Sequence, residues 1–237
     1  MGLLRKFFSN AGKPAGFMGR VMIWGMNVFH ARVAKWAMSR VNINEPSEIA
    51  ELGCGGGRNI RDLLEKYPSS HVVGLDYSPL SLEKAREYNA DMITAGRCEL
   101  VEGDVSAMPF EDGKFDLATA FETIYFWPGL VRCFSEVRRI LKTGGHFVIV
   151  SESDGKDKPS QWFNSIIDAM NLYTPEDIES ALKSAGFSEI HTEHHESQPW
   201  IVIISQKWEC KKIPSCKYKH NNTMRSDICG NGDKFQA

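Results

Sequence analysis

One short stretch, AELGCGGGRN at residues 50–59, combines residue types that suit close contact with a ligand. Four of the five residues from Gly53 to Gly57 are glycine, and the stretch directly follows a short apolar run. Glycine permits backbone conformations and close approaches that a side chain would block. The stretch therefore predicts a turn at the end of a strand where the backbone lies against a large, polar ligand.

The residues around this turn discriminate among three ligands. A phosphate-binding loop continues with Lys and then Ser or Thr, whereas this turn continues with Arg58 and Asn59, so a nucleoside triphosphate is disfavoured. A dinucleotide turn has the pattern Gly-x-Gly-x-x-Gly, and Arg58 occupies its third glycine position, which disfavours that alternative but leaves it open. S-adenosylmethionine has no pyrophosphate and needs an acidic or carbonyl partner for its amino group, and Glu51 precedes the turn.

Two aspartates follow at the ends of the next predicted strands. Asp76 ends the apolar segment HVVGLD, and a carboxylate at this position can accept both hydroxyls of a ribose. Asp104 follows a third predicted strand in the segment EGDVSAMPF. Each aspartate alone fits a solvated strand end or a helix cap equally well. The ordered set from Glu51 to Glu122 is much more specific than any one of its members.

This ordered set resembles the class I S-adenosylmethionine-dependent methyltransferases. The segments KPAGFMGR and TAFETIYFWP further resemble a bacterial and archaeal small-molecule subgroup of the methyltransferase type 11 family, over residues 13 to about 207. The resemblance implies S-adenosyl-L-methionine as cofactor, with Asp104 accepting a hydrogen bond from the adenine amine. The cofactor-binding residues that it implies are Glu51, Gly53, Cys54, Gly55, Gly57, Asp76, Tyr77, Asp104, Val105 and Phe121.

The segment AFETIYFWPG contains the predicted catalytic residues. It leaves the fourth predicted strand at its carboxyl end, where ligands bind in open α/β sheets. We expect Glu122 to orient a hydrogen-bond donor or to act as a base, and Tyr125 and Trp127 to stack on the substrate or on the sulfonium. The alternative is that Phe126 and Trp127 are core residues.

Two residues near the N-terminus complete the predicted site. His30 lies on a predicted helix and is a candidate base or substrate contact, with a structural histidine as the alternative. Arg20 is a candidate partner for the cofactor carboxylate, because a guanidinium binds a carboxylate through two hydrogen bonds. An exposed arginine is the competing interpretation.

Alternating strand and helix patterns predict the fold that positions these residues. The chain is expected to be an α/β protein with a Rossmann-like seven-stranded, mostly parallel sheet, helices on both faces and an antiparallel last strand. Apolar residues at helical spacing from Phe17 to Arg40 predict one N-terminal helix, which either packs on the domain or also covers the ligand pocket as a lid. The predicted domains are an N-terminal segment and lid helix (1–40), a methyltransferase domain (41–207) and a flexible polar tail (208–237).

Several element boundaries are also predicted. A periodic helix begins at Leu130 and is closed by the pair Gly144–Gly145. Another helix spans Trp162 to Met170. A third begins at a capping box in which Thr174 is the cap, Pro175 is the first residue and Asp177 completes the box.

Composition and charge narrow the function further. The formal net charge of -2 over 237 residues disfavours nucleic acid and anionic lipid as partners. No apolar run is long enough to cross a bilayer, and no secretory signal is recognised, so a cytoplasmic protein is expected. His191 and His195 of HTEHH have a spacing that can hold zinc, but exposed strand residues give the same pattern. Cys210, Cys216, His220 and Cys229 lack a paired Cys-x-x-Cys, so no metal is expected at either cluster.

The leading hypothesis is methyl transfer to a small-molecule acceptor by in-line displacement. The sequence lacks the Asn/Asp-Pro-Pro-Tyr motif of adenine and glutamine amide methylation, which argues against DNA or protein amides as acceptors. The alternatives are an NAD-dependent oxidoreductase and a non-catalytic S-adenosylmethionine-binding module. The sequence does not specify the acceptor atom or the oligomeric state.

Overall fold

The computed structural model describes residues 14–167 and 170–208, and its centre is a seven-stranded sheet. The spatial order of the strands is β3-β2-β1-β4-β5-β7-β6. The strands are β1 (Glu48–Leu52), β2 (His71–Asp76), β3 (Cys98–Glu102), β4 (Phe115–Phe121), β5 (Leu141–Ser151), β6 (Ser188–His194) and β7 (Ile201–Gln206).

The direction of the strands confirms the predicted mixed sheet. The pairs β1–β2, β2–β3, β1–β4 and β4–β5 are parallel, whereas β7 is antiparallel to both β5 and β6. The segment between β6 and β7 has only six residues, too few for a crossover between parallel strands, so the chain reverses there and β7 enters between β5 and β6. The strand order reverses beside β1, and an open α/β sheet binds its ligand at such a switch point.

Helices cover both faces of the sheet. Helices α6 and α8 bury Phe134, Val137 and Leu182 on one face, and α2 and α3 bury Val33 and Leu63 on the other. The helices are α1 (Gly16–Phe29), α2 (Ala31–Arg40), α3 (Arg58–Lys66), α4 (Pro79–Tyr88), α5 (Ala90–Thr94), α6 (Leu130–Ile140), α7 (Lys158–Ile166) and α8 (Pro175–Ser184), and a 3-10 turn spans Ile124–Phe126.

The N-terminal region forms two helices instead of the predicted single one. The regular pattern is interrupted at His30, which ends α1 and precedes α2. The inner face of α1 is centred on Gly19 and Ile23, whereas Phe29 of the predicted apolar stripe is 74% exposed. A Cβ at Gly19 would lie 2.9 Å from the backbone of Pro14, so only glycine fits where α1 packs most closely. An apolar pattern does not detect such a position.

Two other predicted boundaries were wrong. Helix α6 ends at Ile140 and strand β5 begins at the next residue, so the glycine pair lies inside the strand. Register between β4 and β5 shifts there, and Gly144 has a φ of 83°, which indicates that the pair forms an irregularity at the strand start. Helix α7 begins at Lys158, earlier than expected, because Asp157 caps it by accepting a hydrogen bond from the Ser160 backbone N–H.

The predicted capping box of α8 is present. The Thr174 hydroxyl accepts a hydrogen bond from the Asp177 backbone N–H, and the Asp177 carboxylate accepts one from the Thr174 backbone N–H. Within the described ranges, no helix is long and apolar enough to cross a membrane. Residues 1–13 and 209–237 lie outside the described residues. The second range contains most of the predicted tail and its three cysteines.

Candidate active site

A cavity of about 320 Å³ opens at the carboxyl ends of β1, β2 and β4, beside the point where the strand order reverses. Five chain segments form its wall: the glycine turn after β1, the ends of β2, β3 and β4, and the inner face of α1. Its size is that of a small-molecule site. The topology therefore brings together the segments in which the sequence predicted cofactor and catalytic residues.

The glycine turn is fixed by close contacts on both of its sides. Gly53 has a φ of 75°, and a Cβ there would lie 2.1 Å from the hydroxyl oxygen of Thr123 after β4. A Cβ at Gly56 would lie 2.5 Å from the Asn27 side chain and 2.6 Å from that of Ile23, both on α1. Side chains at these two positions would push the turn away from β4 and α1. Gly55 also lines the cavity, with no atom within 4 Å of its Cβ position.

Asp76 is held against the turn by backbone donors. The Gly55 N–H donates to Asp76 Oδ2 at 2.9 Å, and the Ser78 N–H donates to Asp76 Oδ1 at 2.8 Å. Burial raises the pKa of this carboxyl, and the backbone hydrogen bonds oppose the rise. A carboxylate oxygen has about two acceptor positions, so both oxygens retain capacity for a ligand hydroxyl.

The other residues that the structure brings to the cavity wall come from the ends of β1 to β4. The Asp104 side chain accepts a hydrogen bond from the Ser106 N–H at 2.7 Å and is exposed. The Cys54 thiol is buried, and burial raises its pKa well above the usual value. Predicted residues in the wall are Gly53, Cys54, Gly55, Asp76, Tyr77, Asp104, Val105, Phe121, Glu122, Trp127 and His30.

Four predicted site residues lie away from the cavity wall, and two of these pack beside the turn. Glu51 is fully buried and accepts a hydrogen bond from the Thr119 hydroxyl, while its Oε1 has no hydrogen-bond partner. Burial raises the pKa of Glu51 to about 8. A Cβ at Gly57 would lie 2.5 Å from the Asn89 side chain, so this glycine is required for packing against α4.

Arg20 and Tyr125 are the other two predicted site residues that lie away from the cavity wall. Arg20 Nη2 donates to Glu83 Oε1 of α4 at 2.9 Å, and both side chains are about half exposed. The structure therefore pairs Arg20 with a neighbouring helix and not with the cavity. Tyr125 is buried behind Glu122 and donates its hydroxyl to Glu122 Oε2 at 3.0 Å.

Glu122 is the buried carboxyl at the end of β4. Its backbone has a φ of 54°, a conformation that non-glycine residues seldom adopt, and its N–H donates to the Val150 carbonyl at 3.0 Å. The Glu152 backbone N–H donates to Glu122 Oε1 at 2.5 Å. Burial and the charge of Glu152 raise the pKa of Glu122 well above its usual value. This acid is therefore held in one orientation by donors just after β5 and on the 3-10 turn.

His30 reaches the same end of the cavity from the junction of α1 and α2. Its Nε2 lies 3.6 Å from Glu152 Oε1, and its side chain is 25% exposed. Burial lowers the pKa of His30, and the charge of Glu152 opposes the change. His30 is consequently a neutral imidazole near pH 7.

The sequence analysis missed four residues of this region. Asn27 lines the cavity and donates to the Gly56 carbonyl at 3.4 Å, and Thr123 lines it below Gly53. Arg58 lines it too, and its Nε is buried without a hydrogen-bond partner. Glu152 follows β5. The available signal was topological, because residues after β5 lie beside those after β4 in a parallel pair.

Side chains of the types that bind metals lie on β6 and beside the cavity. On β6, His191 Nε2 lies 3.4 Å from Glu193 Oε1, and the His191 side chain is 67% exposed. In the described part of the chain, ligand-type atoms of His30, Glu122 and Glu152 lie within 4.8 Å of one another. The expected absence of a metal remains a prediction.

Comparison with known proteins places the chain among methyltransferases. Residues 50–149 match the family model described as a methyltransferase domain. The chain is 26% identical over 198 residues to the sterol 4-C-methyltransferase strm-1 of Caenorhabditis elegans, covering 83% of this chain and 53% of that protein. It is 29% identical over 155 residues to the sarcosine/dimethylglycine N-methyltransferase of Halorhodospira halochloris, covering 64% and 55% respectively.

A solved structure shares the fold. Human N-acetylserotonin methyltransferase in complex with S-adenosylmethionine superposes with a TM-score of 0.68 at 16% sequence identity, covering 80% of this chain and 56% of the human chain. The chain spans about half the length of the curated relatives that it matches.

A class I S-adenosylmethionine-dependent methyltransferase domain is thus supported by the match over residues 50–149, the glycine turn, Asp76 and the mixed seven-stranded sheet. The matched family model is the type 11 methyltransferase domain, which the sequence resemblance had also indicated. The bacterial and archaeal subgroup remains a prediction.

Proposed function

We propose that this chain transfers the methyl group of S-adenosylmethionine to a small-molecule acceptor in the cavity described above. One observation carries the proposal. The Asp76 carboxylate, which lies beside the glycine turn, lines the same cavity as the side chains of Glu122 and His30. Curated relatives include a sterol and a sarcosine methyltransferase, which supports a small-molecule acceptor.

The residues at the turn end of the cavity fit the cofactor. Asp76 would accept hydrogen bonds from the ribose hydroxyls, and Asp104 with Val105 would contact the adenine. Gly53 and Gly55 allow the backbone to approach the ligand without a side chain between them. Arg58 is better placed than Arg20 to bind the cofactor carboxylate, because Arg58 lines the cavity whereas Arg20 lies away from its wall and is paired with Glu83. Arg58 Nε lies 3.5 Å from Asp62 Oδ2 of the same helix.

The chain would contribute alignment and exclusion of water at the other end. S-adenosylmethionine, when bound, supplies the activated methyl group. Glu122 and His30 would orient the acceptor and receive its proton, and Trp127 would form part of the apolar wall. Helix α1 would cover the cavity as a lid, with Ile23 and Asn27 facing the turn. The two alternatives, hydride transfer with NAD and binding without catalysis, make different predictions for this site.

Calorimetry and a labelling reaction test the proposal. S-adenosylhomocysteine is expected to bind with one-to-one stoichiometry and NAD is not. Incubation with methyl-labelled S-adenosylmethionine and a metabolite extract should move the label into a small molecule. Binding of NAD in place of S-adenosylhomocysteine would contradict the proposal, and binding without any transfer would support a non-catalytic module.

A further inference from the structure

Three acceptor groups from three separate segments converge beside the cavity. They are the imidazole of His30, at the junction of α1 and α2, and the carboxyl groups of Glu122 after β4 and Glu152 after β5. One ligand-type atom of each lies within 4.8 Å of the other two. His30 and Glu122 belong to the cavity wall, so a group placed among the three atoms is next to the site of methyl transfer.

Glu122 and Glu152 place two like charges side by side when both are ionised. Glu122 is 6% exposed, and its pKa is raised by burial and by the charge of Glu152, with no lysine or arginine of the described chain opposing either cause. Two carboxyl groups held together in this way favour a cation between them, because a cation in contact offsets both the lost hydration and the like charge.

The spacing of the cluster suits an ammonium group. An ammonium nitrogen donates hydrogen bonds over about 2.9 Å. Three atoms within 4.8 Å of one another can all lie within that distance of a single nitrogen, and His30 Nε2 and Glu152 Oε1 are 3.6 Å apart. Both Glu122 oxygens already accept one hydrogen bond, from the Tyr125 hydroxyl and the Glu152 N–H. Each retains one acceptor position, which is enough for an N–H donor.

From this geometry we propose that the methyl acceptor is an amine, bound as its ammonium ion by Glu122, Glu152 and His30, and methylated on that nitrogen. The inference rests on the proposed function and goes further by naming the substrate class and by adding Glu152 to the site. His30 Nε2 takes one proton from the ammonium group. The lone pair then points at His30, and rotation about the C–N bond turns it toward the methyl group while the two remaining N–H groups form new hydrogen bonds within the cluster.

The reaction is balanced for atoms and charge. The nitrogen lone pair forms the N–CH3 bond, and the electrons of the S–CH3 bond stay on sulfur, which yields neutral S-adenosylhomocysteine. The product leaves as the methylated ammonium ion. The proton on His30 returns to water past Glu152, whose side chain is 46% exposed.

Minimal probes test the cluster whatever the rest of the acceptor looks like. The full chain is saturated with S-adenosylhomocysteine and titrated with methylammonium, or with methanol as the neutral probe of similar size, while the imidazole signals of His30 are followed by NMR. Methylammonium is expected to shift these signals and methanol is not. Glu152→Gln should weaken the methylammonium effect roughly tenfold or more, because it removes one charge. The matched control is Glu193→Gln, from the exposed His191–Glu193 pair on β6, which should change nothing.

A second measurement follows the reaction itself. Methyl-labelled S-adenosylmethionine is supplied with benzylamine, benzyl alcohol and benzyl thiol, and label is expected on the amine. Equal NMR effects of methylammonium and methanol, no effect of either, or label on oxygen or sulfur would overturn the inference. Broadening of the His30 signals by Mn²⁺ at concentrations where methylammonium has no effect would instead identify a metal site. Failure of S-adenosylhomocysteine to bind would contradict the proposed function itself, and is seen before any probe is added.

Discussion

Asp76 has two roles, one in fixing the glycine turn and one in accepting ligand hydrogen bonds, and a substitution can test the second. Its carboxylate fixes the turn through the Gly55 and Ser78 N–H groups and retains acceptor capacity for a ribose. We expect Asp76→Asn to weaken S-adenosylhomocysteine binding by about 1.5 to 3 kcal/mol, measured by calorimetry, because charge-assisted hydrogen bonds are lost. Asp91→Asn, at an exposed aspartate bound to Arg61, is the control and should leave affinity unchanged. An unaltered affinity in the Asp76 variant would remove it from the binding site.

Glu51 gives the chain a pH-dependent stability. Burial raises its folded pKa from 4.5 to about 8, so the folded chain prefers the neutral acid while the unfolded chain ionises near pH 4.5. The contribution of Glu51 to stability is therefore complete below about pH 4.5 and decreases as pH rises toward 8. Glu51→Gln keeps the shape and removes the ionisation. The melting temperature of the variant, relative to the native chain, should rise by several degrees between pH 5 and pH 8.5.

The control for Glu51 lies on the neighbouring helix. Glu65 is exposed on α3, and Glu65→Gln should give the same difference from the native chain at both pH values. If the melting-temperature difference between Glu51→Gln and the native chain is also the same at both pH values, Glu51 is ionised in the folded chain and burial does not raise its pKa.

At the residue scale, the sequence predicted positions that occur within a recognisable local motif. Asp76 and Asp104 end predicted strands, and the glycines are adjacent in the sequence, so the sequence pattern predicted the two aspartates and the glycine turn. Glu152 and Arg58 were not, because their significance depends on neighbours distant along the chain: the Glu152 N–H meets Glu122 only once β4 and β5 pair. Arg20 was predicted to contact the cofactor because its chemistry is suitable, but its direction on α1 turns it to Glu83.

The two N-terminal helices differ in how firmly they are attached. Helix α2 buries Val33, Ala34, Ala37 and Met38 in the core of the sheet, whereas α1 buries only Gly19 and Ile23 and exposes Trp24 and Phe29. Local stability follows buried contact, so of these two helices we expect α1 to be the one that opens over the cavity. The predicted continuous helix failed because the same apolar spacing continues through His30 while the packing changes there.

Hydrogen exchange tests the lid. We expect the backbone amides of α1 to exchange quickly in the free chain and more slowly with S-adenosylhomocysteine, because ligand contacts hold Ile23 and Asn27 against the turn. The amides of α2 provide an internal control and should be protected equally in both states. Exchange in α1 that is indifferent to the ligand would show that this helix packs on the domain without acting as a lid.

At the scale of the whole molecule, the fold was predictable because strand and helix patterns alternate over most of the chain from β1 to β5, the link from β3 to β4 being the exception. The reversal at β7 followed from the missing helix before it, and its hydrogen bonds to β5 and β6 agree with that expectation. What the patterns could not give is the convergence of His30, Glu122 and Glu152, because three separate segments meet only after the sheet and its N-terminal helices have assembled. The candidate site is thus a product of topology as well as of motif.

The sheet also sets the point at which the chain can be shortened. Strand β7 is buried between β5 and β6, and the next residue, Lys207, still donates its backbone N–H to the Gly145 carbonyl at 2.8 Å and its Nζ to the Leu141 carbonyl at 2.8 Å. Trp208 is 55% exposed. Residues 209–237 are polar and lack apolar periodicity, so by composition they offer little surface to offset the entropy of ordering. Truncation after Trp208 should leave the melting temperature and S-adenosylhomocysteine affinity unchanged.

A second truncation supplies the contrast. Ending the chain after Gln206 removes three Lys207 hydrogen bonds to the start of β5, because the Lys207 carbonyl also accepts one from the Gly144 N–H at 2.7 Å. This truncation should lower the melting temperature by several degrees. Scanning calorimetry of both truncated chains beside the full chain separates the two expectations. A marked loss of stability on truncation after Trp208, or zinc that co-purifies with the full chain and is absent from the truncated one, would show that the cysteine-containing tail contributes to the fold.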